Sequence, residues 1–120
     1  MARATELIAV AVRNFEREVP ALGKLKLVLR LELRGRGDVQ VFRVRVPGPE
    51  VTKVEPEDAR VEISIPRSHF NELATDGKLE HWIEAYEHGH IRIEGDPDIR
   101  KLVGTVIQRQ VARGRLKKAH

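Results

Sequence analysis

The 120-residue chain has no cysteine, and that absence removes disulfide cross-links, thiolate nucleophiles and cysteine-based zinc sites together. A domain of this kind must be held by its core. Aromatic residues make up only 4% of the sequence, with one Trp and one Tyr, so the core has to be aliphatic. No apolar run approaches the roughly 18 residues that a membrane-crossing helix needs. The first twenty residues carry Arg13, Glu16, Arg17 and Glu18 inside a helical pattern, unlike the apolar segment of a secretory leader. With no cysteine and no such segment, a cytoplasmic address is expected.

Acid is missing too, but only locally. From Arg100 to His120 there are seven Lys or Arg and no Asp or Glu, which leaves 15 basic and 18 acidic residues in the other 99. The formal charge of +4 therefore belongs to the C-terminal segment. The body offers no basic groove of the kind that nucleic acid requires, so nucleic acid is not an expected partner. The basic segment can touch anionic lipid headgroups, nucleic acid or an acidic protein, though a solvated terminus is the commonest explanation for such a run.

Hydrophobic residues reach 41%, too many for a disordered chain. The length suits one domain spanning 1–120, with residues 112–120 as a basic, frayed tail where the apolar period is lost. Ala4, Leu7, Ile8, Ala11, Val12 and Phe15 recur at helical spacing up to Pro20. Leu25, Leu27, Leu29, Leu31 and Leu33 alternate with other residues, which predicts a long strand with one buried face. Gly35-Arg36-Gly37-Asp38 is turn chemistry, and Val39 to Val46 follows as the second strand of a hairpin. Its apolar phase slips between Val41 and Phe42, which fits either a bulge or one exposed valine. Val51 to Val54 offers a short edge strand, and Val61 to Ile65 a fourth strand that, after the polar loop Pro56-Glu57-Asp58, either crosses over or extends the meander, its neighbour not set by the sequence.

Two helical patterns come next. Ser68 is placed to cap the first, which carries Phe70 and Leu73. The second puts Leu79, Trp82, Ile83 and Tyr86 on one face and His81, Glu84 and His88 on the other. Gly77 and Gly89 are expected to end these helices with positive φ, and Gly95 to turn the last strand into the final helix, capped by Asp96 with Pro97 at its first position.

No constellation here carries catalysis. The His81–His88 spacing is seven instead of the four of a zinc-protease helix, and a solvated polar face accounts for these residues without a metal. Glu62, Glu94 and Asp96 sit at strand or cap positions, and Ser64 and Ser68 lack a nucleophile elbow. Gly35-Arg36-Gly37 precedes a strand, whereas a phosphate cradle precedes a helix. The reading is of a protein that is not an enzyme and that needs no cofactor or metal.

The strand Val61-Glu62-Ile63-Ser64-Ile65, then Phe70 and Leu73, Asp76-Gly77-Lys78-Leu79, Ala85, and Gly89-His90-Ile91-Arg92-Ile93-Glu94-Gly95-Asp96 together resemble the second half of the sterol carrier protein-2 family, the non-specific lipid-transfer fold. In the first half only the order of elements agrees. The segment between Gly77 and Gly89 is about one residue longer than the family pattern and lacks its helix-opening proline. Lys118-Ala119-His120 is not a peroxisomal Ser-Lys-Leu signal.

The resemblance implies an α+β fold, a five-stranded mixed sheet covered on one face by helices, and an apolar tunnel between sheet and later helices. Carried over by position, Phe70, Leu73, Trp82, Ile83, Leu102, Val103 and Val106 become candidates for its wall. From the residues alone, core packing is the favoured reading for each. The implied function is a carrier holding an acyl, isoprenoid or sterol-like molecule, with the basic tail touching anionic membrane and a homodimer left open. The alternative is a non-catalytic accessory protein that keeps the fold without a lipid ligand.

Overall fold

A computed structural model of the protein describes residues 4–118, with the side chains of 22, 23, 76 and 114–118 outside that description. Helix α1 spans Ala4–Glu18, and its apolar stripe buries Ile8 and Ala11 against the sheet side of the molecule. The Val19 N–H donates to the Phe15 carbonyl at 2.8 Å, and a short 3-10 turn at Pro20–Lys24 leads out of the helix. Strand β1 is Leu27–Arg34, β2 Val39–Val46, β3 Glu50–Thr52, β4 Val61–Pro66 and β5 Arg92–Gly95. Helices α2, Arg67–Asp76, and α3, Leu79–Glu87, lie between β4 and β5, and α4 closes the chain at Pro97–Lys118.

The sheet order is β3-β2-β1-β4-β5, antiparallel throughout except where β1 and β4 run parallel. This is the α+β architecture with a five-stranded mixed sheet expected from the sequence. Leu31 and Leu33 of β1, Phe42 and Val44 of β2, and Ile65 of β4 point into the core with Phe70, Leu73 and Ala85 from the helices. The β1–β2 register runs unbroken from Leu27 opposite Val46 to Arg34 opposite Val39. There is thus no bulge: Phe42, Val44 and Val46 take the inner face, while Val41 stands opposite Glu32 on the outer one.

The outer face explains how β4 reaches its place. From β3 at one edge, the chain must cross β2 and β1 to pair with β1 on its far side. Arg43 of β2 forms a two-pronged bond to Asp58 at 2.8 and 3.1 Å, and Arg30 of β1 donates to Glu55 at 2.8 Å. Both arginines hold the crossing loop, and the Arg43 guanidinium keeps the Asp58 carboxyl below its ordinary range.

Three local expectations are corrected. Ser68 is exposed one residue inside α2, which starts at Arg67 after Pro66 with no side-chain cap, because the proline already fixes an extended entry. Gly89 and Gly95 adopt φ of +80° and +122°, but Gly77 sits at φ −74°. Gly77 is needed for closeness: a Cβ there would collide with the Leu73 carbonyl oxygen and lie 2.8 Å from Leu73 Cα. Lastly, α4 stays helical through Lys118, so the stretch 112–118 of the expected frayed tail is helix; 119 and 120 lie outside the described residues. Leu, Arg and Lys at 115–118 are strong helix formers, and propensity continues the helix after its apolar stripe has ended.

Candidate ligand site

Between the sheet and helices α1, α3 and α4 lies a cavity of about 930 Å³, at the upper end of the roughly 300–1,000 Å³ typical of small-molecule sites. Its floor is the inner face of the sheet, with Leu27, Leu29 and Leu31 of β1, Val44 and Val46 of β2, and Ile63 and Ile65 of β4. Ile8, Val12 and Phe15 of α1 form one wall, and Trp82, Ile83 and Tyr86 of α3 another. Helix α4 contributes Val103, Gly104, Ile107 and Val111.

Polar contacts at helix ends fix these walls. The Leu79 N–H at the start of α3 donates to Glu18 of α1 at 3.0 Å, and His81 Nδ1 accepts from the Lys78 N–H at 2.9 Å. His81 is therefore occupied in shaping the helix start. Asp96 Oδ1 accepts from the N–H groups of Asp98 at 2.9 Å and Ile99 at 3.4 Å, which caps α4 as the sequence suggested. Its other oxygen accepts from Arg60 at 2.6 Å. The Arg60 bond, then the Asp98 N–H, holds the Asp96 carboxyl below its ordinary range. Gly95 just before it allows this approach, since a Cβ there would strike the Arg60 carbonyl oxygen and lie 2.9 Å from Val61 Cα.

Trp82 is the aromatic hinge of the site. Its ring stands edge-on to Phe15 at 5.2 Å and to Phe70 at 6.0 Å, both at 68°, so it links α3 to α1 and α2. Of the seven wall candidates, Phe70, Trp82, Ile83 and Val103 line the cavity. Leu73 is buried in the solid core beneath α2. Leu102 is 45% exposed, and Val106 is half-buried off the wall. Leu102 and Val106 each precede a lining residue, Val103 and Ile107, so each is rotated about 100° away from it.

The sequence reading missed the α1 wall and Gly104. The stripe of α1 was visible, but nothing in it separates residues on a void from residues on a core. Gly104 carries no apolar signal, yet a Cβ placed there meets nothing within 4 Å.

The polar groups of the wall are few. Glu87, Arg100, Lys101 and Gln108 are exposed at its rim. Glu16 of α1 is half-buried, and its Oε1 is shut off from solvent with no hydrogen-bond partner among the described residues. Elsewhere, His69 stacks on His90 at 4.8 Å and His88 stands edge-on to His90 at 6.3 Å. Among the described residues, no group of three or more His, Asp or Glu is arranged to hold a metal ion. Glu62 and Glu94 face a shallow polar depression on the outer sheet face, where Ser64 Oγ donates to Glu32 at 2.7 Å.

No family model matches the sequence, and no curated protein matches it. Solved structures do match in shape. Palmitated sterol carrier protein 2-like 2 from Aedes aegypti superposes with a TM-score of 0.59 at 16% identity, covering 83% of this chain and 93% of that one. The crystal structure of the same Aedes protein gives 0.55 at 15% identity, over 83% and 98%. Sterol carrier protein 2 from Yarrowia lipolytica in its apo form gives 0.54 at 14% identity, over 78% and 87%.

Proposed function

We propose that this chain, which has the sterol carrier protein-2 fold, is a non-catalytic carrier that takes the apolar part of an acyl, isoprenoid or sterol-like molecule into the cavity between sheet and helices. The observation that carries the reading is the cavity itself: about 930 Å³ lined mostly by aliphatic and aromatic side chains. Packed interiors leave few voids larger than a water molecule, and an accessory protein with a filled interior would need none of this size. Each methylene moved from water into such a site contributes about 0.8 kcal/mol, so affinity needs no reactive group. Phe70, Trp82, Ile83 and Val103 are the proposed contacts, and Leu73 acts behind them as packing. In the same reading, basic α4, which lines the cavity and carries Arg100 and Lys101 at its rim, turns the opening toward an anionic bilayer.

Gly104 provides the test. Replacing it by Phe directs a ring into the void while removing a helix-interior glycine, which costs about 1 kcal/mol relative to alanine. Gly104→Phe is expected to keep or raise the melting temperature and to abolish the saturable change in Trp82 emission that long-chain ligands cause in the delipidated parent. If no member of an acyl, isoprenoid and sterol panel binds the parent, the carrier reading is wrong and the accessory role replaces it.

A further inference from the structure

We propose that the outward face of α4, a stripe of Ile99, Leu102 and Val106 continued by Arg109 and Arg113, is a docking surface that lies in the headgroup layer of an anionic bilayer. This rests on the carrier reading for the kind of partner and adds to it the face that makes the contact. Helix α4 is apolar on two sides. Val103, Ile107 and Val111 line the cavity, whereas Ile99, Leu102 and Val106 are not on its wall and recur three and then four residues apart on the side turned away from it. None of the described side chains of α4 is buried, and Leu102 is 45% exposed. A helix that is apolar all round is ordinarily enclosed on every side, and the cavity accounts for only one side of this one.

Charge identifies what covers the other side. Arg109 and Arg113 follow Val106 at the same spacing, three and then four residues, and both are exposed. Cations in line with apolar side chains, in a segment with no Asp or Glu from Arg100 to His120, fit a surface that is apolar within and anionic at its boundary. Interfacial helices bind by the sum of buried apolar area and attraction to anionic headgroups, and arginine keeps its charged head among the phosphates while its stem lies along apolar surface. A second copy of the chain would set two acid-free helices face to face, which like charge opposes. Nucleic acid would engage the arginines and leave Leu102 and Val106 in water.

The test uses the delipidated full chain and vesicles of phosphatidylcholine with and without phosphatidylserine. Because the chain has no cysteine, Leu102→Cys and Arg13→Cys each accept a single polarity-sensitive label, one on the α4 stripe and one at an exposed position of α1. On phosphatidylserine vesicles the label at 102 is expected to shift to the blue and the label at 13 to stay unchanged. Leu102→Gln, which keeps a good helix former, should weaken sedimentation with these vesicles about tenfold, the scale of one leucine side chain leaving an apolar environment. It should leave the melting temperature and the binding of oleic acid, read by Trp82 emission, as in the parent. Arg109→Gln with Arg113→Gln should weaken sedimentation in about 0.1 M salt and flatten its fall toward about 1 M. A label at 102 that stays in water while the parent sediments, or a Leu102→Gln variant that sediments as the parent does, overturns the α4 face and leaves the carrier reading standing. A parent that binds oleic acid but neither kind of vesicle also overturns it, and gives the face to an acidic protein. The expected vesicle pattern in a parent that binds no member of the acyl, isoprenoid and sterol panel supports the surface and overturns the carrier reading alone.

Discussion

Asp96 joins three parts of the chain through one side chain. One oxygen closes the first turn of α4, the other takes the Arg60 guanidinium at the entry to β4, and the residue directly follows β5. Because the folded carboxyl is held below its ordinary value of 3.8 by Arg60 and the helix N–H groups, the folded state binds fewer protons than the unfolded state in that pH region. The stabilisation is therefore fully present above the unfolded value and disappears as pH falls below it and through the lower folded value. Asp58, lowered by Arg43, follows the same sign. Asp96→Ala is expected to lower the melting temperature by a few degrees at pH 7 and to shrink the further drop between pH 4 and pH 2. A variant that loses as much stability on acidification as the parent would show that Asp96 does not contribute through its charge.

At the scale of elements, β1 carries both the core and the cavity floor, and the two kinds of position can be told apart by truncation. Leu33 is 1% exposed within the core cluster, whereas Leu29 is half-buried and faces the void. Leu33→Ala should cost about 2–5 kcal/mol, the range for fully packed leucines, and Leu29→Ala clearly less, because the neighbours it leaves are already underpacked. Urea denaturation of delipidated protein checks this, and equal losses would mean that the space over Leu29 is filled. The leucine alternation of β1 and the apolar stripes of α1 and α3 were legible because period and burial are coupled within one element. The place of β4 beside β1 was not, since it is a long-range parallel pairing, and the bonds from Arg30 and Arg43 to Glu55 and Asp58 that hold the crossing loop leave no sequence periodicity. The wall was legible only in part for a similar reason. Phe70, Trp82, Ile83 and Val103 show inward direction, but whether an inward residue meets a partner or a void is decided by neighbouring elements. Leu102 and Val106 lie on a helix with apolar residues on several faces, and there spacing does not identify the one that turns to the cavity.

Across the whole molecule, charge and cavity share one element. The segment from Arg100 onward carries seven basic residues and no acid, against a net charge of −3 on the rest, and it belongs to the helix that lines the cavity. Among the described residues no helix is long and apolar enough to cross a membrane. Under the proposed function, such a charge distribution would orient an approaching molecule with α4 toward an anionic bilayer and its acidic remainder away, and would bring the cavity rim to the lipid before any contact forms. The expected consequence is kinetic. Transfer of a fluorescent long-chain ligand between vesicles should be faster from phosphatidylserine-containing donors than from phosphatidylcholine alone. Raising the salt from about 0.1 M to about 1 M, which shortens the screening length from about 10 Å to about 3 Å, should remove that difference. Removing residues 114–120 takes away three of the seven basic side chains and should reduce the difference at low salt without changing equilibrium affinity for the ligand. Equal transfer from both kinds of vesicle at low salt would separate the charge of α4 from the carrier function altogether.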